Sequence, residues 1–264
     1  MALTDNLVSY WKLDESSGNA ADSHGSNTLT NNNTATYSTG KINNAANFVR
    51  ASTQYLNNTS PATALPSGAA SRSMAVWFKP ASQPTSGQNM GVVGWGGQNT
   101  GLAFYLMYQN NGAGAGIGFS GYSADLFSVN PVSNGTWAFV VVTYDGTTVK
   151  VYQDGNSTPI LSGAKSLNTS SSPLEIGEQF VGGGANFDGM IDEVGIWSRE
   201  LTSGEITTLY NGGAGNQYPF PLNINVTDTL TITESVTLTL LNNISTSDTL
   251  TITESVTLTN FNNI

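Results

Sequence analysis

The sequence predicts an all-β protein: a two-sheet sandwich followed by a short repetitive β segment. Three observations carry that prediction. Apolar runs of strand length recur along residues 7–197, separated by Gly, Asn and Asp turns. Hydrophobic residues make up 38% of the 264-residue chain and charged ones only 10%. Gly, Ser, Thr and Asn fill the balance, which suits strands whose polar faces are hydroxyls and amides rather than ion pairs. Finally, a Thr-rich stretch repeats itself from Asp228 onward.

Taken in order, strands are expected at 7–13, 45–49, 73–78, 90–95, 102–108, 137–144, 148–153, 174–180 and 190–197. Many short strands with turn signals between them point to a sandwich rather than an α/β fold. Asp145-Gly146 is the clearest hairpin turn, joining 137–144 to 148–153, and Asp154-Gly155 closes the next corner. One helix is expected, after Leu201. Thr202 or Ser203 would cap it, Glu205 would sit in its first turn, and it would end near Tyr210-Asn211-Gly212. This first module is assigned residues 1–218.

Residues 219–264 form the second module. Residues 228–239 recur unchanged as 248–259, and each copy is followed by a related Asn-Asn-Ile. Leu230, Ile232, Val236 and Leu238 share one face, as do Leu250, Ile252, Val256 and Leu258, with threonines opposite. Each copy is nearly palindromic about Glu234 or Glu254, so a hairpin is favoured over one long strand. So short a segment buries little surface alone, and alternating strands with open edges seek partners. Self-association is therefore expected, as a multi-chain fibre stem or by strand addition to a neighbour. A flexible Thr-rich linker is the plainer reading, but it has no need of strict apolar alternation.

Composition also excludes. Eighteen acids against eight bases give a formal charge of −10 with no Lys/Arg cluster, so nucleic acid is not an expected partner. With no cysteine and one histidine, His24, neither a disulfide framework nor a Cys or His-cluster metal site is available. No signal-peptide pattern opens the sequence, and no apolar stretch has the length of a membrane span.

Several stretches together carry a family resemblance. Residues 187–206 read as an Asp-Gly turn, an alternating strand with the acids Asp192 and Glu193, then Trp197-Ser198-Arg199-Glu200-Leu201 and a helix. This resembles the last strand of laminin-G-like domains, which belong to the concanavalin A-like lectin/glucanase jelly rolls. Residues 7–15 with Ser17-Gly18 resemble the family's first strand and loop. Ala21-Asp22-Ser23-His24-Gly25-Ser26-Asn27 resembles its Asp-Ser-x-Gly-Asn loop, with Ser26 where the family often has Asn. Residues 47–49, 73–80 and 151–155 are similar to further family strands.

The resemblance implies a concanavalin A-like jelly roll with a calcium ion at its rim. Calcium takes six to eight hard oxygens, which Asp22, Asn27 and Asp192 would begin to supply, with Asp188 and Glu193 as lesser ligands. Consecutive strand residues face opposite ways, so Asp192 and Glu193 are not expected to reach one ion together. The alternative is that Asp22 caps a turn and the acids are solvated. Related glucanases alternate their catalytic carboxylates along one strand. Here the two acids are adjacent and Met190 stands two residues before Asp192, so no enzyme is expected. Glu175 and Glu178 fare no better, and His24 lies in a polar loop with no matched nucleophile.

Trp11, Trp77, Trp137 and Trp197 fall in alternating strands and are expected in the core. Trp95 stands among Gly94, Gly96 and Gly97, where it is expected to be exposed. With Tyr105, Tyr108 and Tyr122 it would stack on sugar faces, while Asn99, Asn110 and Asn111 donate amide hydrogen bonds; ordinary loop packing is the other reading. The expected function is a non-enzymatic binding or adhesion module on a self-assembling stem, in a virion (phage fibre or decoration) or surface protein. Glycans and other virion or surface proteins are its expected partners. The alternatives are a cell-surface filament subunit assembled by strand addition and, third, a glycoside hydrolase.

Overall fold

Period-2 burial organises the chain, as a computed structural model of residues 2–58 and 61–221 shows. The strands are β1 (Leu7–Trp11), β2 (Thr30–Asn32), β3 (Thr36–Thr39), β4 (Asn44–Phe48), β5 (Tyr55–Asn57), β6 (Arg72–Pro80), β7 (Asn89–Gly96) and β8 (Ala103–Asn110). There follow β9 (Ala115–Ser120), β10 (Leu126–Phe127), β11 (Ala138–Tyr144), β12 (Thr148–Gln153), β13 (Leu161–Ala164), β14 (Glu175–Ile176) and β15 (Gly189–Trp197). They build two antiparallel sheets. One has eight strands in the order β13-β12-β11-β6-β15-β4-β3, with β1 pairing β15; the other has seven, β10-β9-β8-β7-β14-β5-β2.

Inward residues of both sheets meet in one core: Met74, Val76 and Phe78 of β6, Val140 and Val142 of β11, and Ile191, Val194 and Ile196 of β15 face Val93, Phe104, Leu106 and Phe119. The outward residues of the same strands are apolar too. Ala75, Trp77, Phe139, Val141 and Trp197 form a second cluster with Ile206 and Leu209 of helix α1 (Ser203–Tyr210). Burial on both faces is why 73–78 and 137–144 read as near-continuous apolar runs.

Helix α1 is set by its ends. Thr202 is the N-cap; its hydroxyl accepts from the Glu205 N–H while the Glu205 carboxylate accepts from the Thr202 N–H at 2.8 Å. Asn211, in the left-handed conformation, closes the helix. The chain then straps back, and Tyr218 and Phe220 pack on Tyr10, so this module runs just past residue 218. No described helix is long and apolar enough to cross a membrane.

Six strands escape the sequence pattern, namely β2, β3, β5, β9, β10 and β13. They are short, or built of Thr, Asn, Ser and Gly, and four of the six, β2, β3, β10 and β13, are the edges of the two sheets. The run 174–180 yields only the two residues of β14, after which the chain leaves the sheet to form a loop over its outer face. The repeat residues, including Leu230, Ile232, Val236, Leu238, Leu250, Ile252, Val256 and Leu258, lie outside the described residues.

Candidate functional site

The loop leaving β14 builds a polar, partly open site. Glu175 anchors it: its carboxylate accepts from the Tyr105 hydroxyl at 2.8 Å and from the N–H groups of Phe180 and Val181 at 2.6 and 3.2 Å. Beneath the loop Gly91 is bare for a reason. A Cβ there would stand 2.3 Å from the Gln179 nitrogen. Phe180 closes over Tyr105, ring centroids 5.0 Å apart.

Two hollows flank this loop and share Gly184. One, about 290 Å³, is lined by Asn33, Thr53, Tyr55, Glu178, Val181, Gly182, Gly184 and Asn186. Glu178 and Asn186 are buried in its wall. Glu178 accepts from the Gly182 N–H at 3.1 Å, but its second oxygen has no partner, nor has the Asn186 amide nitrogen. Burial pushes the Glu178 carboxyl up from its ordinary pKa, with the nearby Glu175 charge adding to it and the Gly182 N–H and the adjacent Asn186 amide acting against it. The other hollow, about 360 Å³, is bounded by Arg50, Ser86–Asn89 and Gly183–Ala185. A third, about 450 Å³, lies beside Tyr37. There Asn31 bonds Gly18 and Ala35, and the Tyr37 hydroxyl donates to the Gly18 carbonyl at 2.9 Å.

The acids of β15 overturn one sequence expectation. Ile191 and Val194 both point into the core, and the pairing with β6 slips between Asp192 and Gly195. Glu193, at φ 51°, is the extra residue of a β-bulge. Asp192 and Glu193 therefore face the same way, outward, under the strap. The Tyr10 hydroxyl and Gln217 amide donate to Glu193, and Gln217 also donates to Asp14 at 2.9 Å. One Asp192 oxygen accepts from the N–H groups of Lys41 and Ile42 at 2.8 and 3.1 Å; the other, buried, has no partner.

The nominated calcium ligands are engaged in separate hydrogen-bond networks. Asp22 spends both oxygens on four backbone N–H groups, those of Tyr10, His24, Gly25 and Asn27. Asn27 is a buried strut: its amide donates to Ser9 and the Thr63 carbonyl and accepts from the Thr63 N–H. Asp188 accepts from the Ser82 hydroxyl and the Arg50 N–H. Among the described residues no three acids or histidines are placed to hold a metal. Of the nominated ligands, Asp192 keeps one buried oxygen without a partner among the described residues.

The aromatic platform is corrected as well. Trp95 is 1% exposed and donates from its indole to the Pro66 carbonyl at 3.0 Å. Its glycine neighbours mark close packing, not an exposed loop, since a Cβ on Gly94 would stand 2.4 Å from the Tyr105 ring. Tyr105 and Tyr108 are fully buried, Tyr108 donating to the Val132 carbonyl. Only Tyr122, at 37%, is exposed, against Phe180. Asn110 and Asn111 accept from backbone N–H groups of their own turn. His24 packs on Tyr218.

The family model of the concanavalin A-like lectin/glucanases superfamily matches residues 50–207. The chain belongs to that superfamily. Solved structures agree with this concanavalin A-like fold. Domain 4 of AbnA, a GH43 extracellular arabinanase from Geobacillus stearothermophilus, solved with arabinotriose, is 21% identical at a TM-score of 0.58, covering 76% of this chain and 97% of that one. The binding domain of Paraclostridial Mosquitocidal Protein 1 is 14% identical at 0.63, covering 80% and 53%. A Trypanosoma rangeli sialidase is 17% identical at 0.58, covering 80% and 34%. No curated protein matches the chain in sequence.

Within this concanavalin A-like domain, sequence reading missed Arg50, Thr53, Tyr55 and Asn186, and set Glu178 aside. Those residues are distant along the chain and meet only because β5 and β14 pair. The one legible signal was the Gly182-Gly183-Gly184 run, a mark of a loop with open backbone donors.

Proposed function

We propose that this chain is a non-catalytic glycan-binding module whose sugar site is the hollow between Tyr55, Thr53 and the 181–186 loop. One observation carries the reading: the second Glu178 carboxylate oxygen and the Asn186 amide nitrogen, buried next to each other, have no other partner among the described residues, in a wall that also offers a tyrosine ring and Val181, which is 50% exposed. A carboxylate and an amide side by side match adjacent sugar hydroxyls, and ring and aliphatic surface match a sugar's C–H face. The arabinotriose in the AbnA domain supports the ligand class. Catalysis is not part of the proposal, because glycosidic hydrolysis needs two carboxyl groups flanking an open groove. Asp192 and Glu193 share a face but are buried beneath the strap, and Glu175 is fully engaged.

Titrating full-length protein with a panel of neutral oligosaccharides tests this. Glu178→Gln and Asn186→Ala should each weaken binding about tenfold, while Tyr37→Phe, in the third hollow, should leave it unchanged. Binding that ignores the first two substitutions would move the site elsewhere.

The context proposed is adhesion at a surface or on a virion, with copies joined through the Thr-rich repeats. The sequence of those repeats supports it. Light scattering on the full chain should then give a mass that is a multiple of the 27.7 kDa protomer; a monomer at micromolar concentration would remove the assembly reading.

A further inference from the structure

We propose that the neighbouring hollow is an oxyanion subsite, so that the ligand is an acidic glycan whose charged sugar is held by Arg50. This inference rests on the glycan reading above and extends it.

The eight Lys and Arg residues are mostly occupied. Lys150 pairs with Glu200 and Arg199 with Glu205, and these are the ion pairs among the described residues. Arg72 is buried and donates to the carbonyls of Pro66, Gly68 and Ala70. Lys41 and Lys79 lie over the rings of Trp77 and Trp137.

Arg50 is different. It is half-buried beside a hollow of about 360 Å³, and the contact of its guanidinium within the chain is Nη2 to the Asn89 carbonyl at 3.4 Å, a long bond. Its Nη1 is buried and has no partner among the described residues. Asp188 does not neutralise it by a close ion pair; that carboxylate instead accepts from the Arg50 N–H and the Ser82 hydroxyl. A guanidinium presents a planar fork that matches an oxyanion in two hydrogen bonds.

The rest of the lining supplies donors. Gly183 donates its N–H to the Phe180 carbonyl, but the N–H groups of Gly184 and Ala185 and the side chains of Ser86 and Asn89 make no hydrogen bond among the described residues. Successive free N–H groups in a glycine-rich turn form the kind of concavity that binds anions. Two observations join this hollow to the sugar site: Gly184 lines both, and Arg50 begins the 3-10 turn Arg50–Ser52 that leads into Thr53. A chain carrying −10 overall repels polyanions, so a single acidic sugar seated on one arginine fits better than a densely charged polymer.

The test compares matched pairs on full-length protein at low and physiological salt: lactose with 3′-sialyllactose and 3′-sulfolactose, and cellobiose with cellobiouronic acid, by calorimetry. The expected result is at least tenfold tighter binding of a charged member than of its neutral partner, weakened by salt. Carboxylate and sulfate are the two sources of the oxyanion, and the panel separates them. Arg50→Gln should abolish the preference for the charged member, while Arg50→Lys, keeping charge without the fork, should retain part of it. Melting temperature checks that both variants fold. Equal affinity for charged and neutral members, or a preference that survives Arg50→Gln, overturns the oxyanion subsite while leaving the sugar site standing. About tenfold weaker binding of every sugar on Glu178→Gln, with the preference of the wild type confirmed, locates both subsites, and failure of the wild type to bind any member overturns both readings.

Discussion

Arg199→Ala is expected to cost about 3–5 kcal/mol of unfolding free energy, the range for removing one partner of a buried ion pair. Its guanidinium holds both Glu205 oxygens at 2.8 Å and reaches the carbonyls of Ala2, Asp5 and Glu200. It thereby ties the N-terminal turn to the end of β15 and to the first turn of α1. Glu205 also completes the cap of that helix, so an unpaired Glu205 would leave a buried charge and a strained cap together. The substitution should expose Trp197, whose indole donates to the Leu3 carbonyl, and shift its fluorescence to the red. Urea unfolding gives the magnitude. Adding Glu205→Ala should recover part of the loss, since it removes the stranded charge; a double variant as unstable as the sum of both singles would contradict the pairing.

Asp192→Asn should act in the opposite direction and stabilise the protein at pH 8. Burial, then the neighbouring Glu193 charge, pushes the Asp192 carboxyl up to about 9, and burial lifts Glu193 to about 8. Facing the pair are Tyr10, Gln217, Asp14, the N–H groups of Lys41 and Ile42, and more distantly Lys12. Both carboxyls hold protons in the folded state that they release, near pH 4, in the unfolded one. The folded state thus binds more protons from about pH 4 to 9, and stability declines as pH rises through that window. It is fully present below the lower limit and lost above the upper. A slope on the order of 1 kcal/mol per pH unit is expected between pH 5 and 8. The asparagine oxygen would still accept from Lys41 and Ile42 without a charge to bury, so Asp192→Asn should flatten the slope by about half. Thermal unfolding across pH measures this. Calcium in millimolar excess should leave the melting temperature unchanged. A rise that Asp192→Asn abolishes would mean that an ion, not a proton, neutralises the pair.

Legibility followed burial. Strands β6, β11 and β15 pack on both faces, and their apolar runs announced them; β12, with one polar face, alternated as expected. The capping box of α1 is a local contract among Thr202, Glu205 and their own backbone, so four residues of sequence sufficed to find it. The edge strands β2 and β3 carry Asn and Thr, bury little, and left no periodic mark, while β5 is only three residues long. Trp95 was misread for a related reason. Glycines beside a tryptophan look like a loop, yet here they are thinned so that Tyr105 and Leu102 can press against the strand.

By itself the sequence determined the fold class, the hairpin at Asp145-Gly146, the helix with its cap, and a chemistry poor in charge. These depend on periodicity and on contacts a few residues long. Tertiary structure alone decided which acids meet and which polar groups stay free. One bulged residue at Glu193 turned two adjacent carboxylates onto the same face, against the alternation of a regular strand. Pairing of β5 with β14 brought Tyr55 to Glu178 and set Arg50 beside a glycine loop more than a hundred residues away. Such encounters depend on register and strand order, which no local pattern encodes.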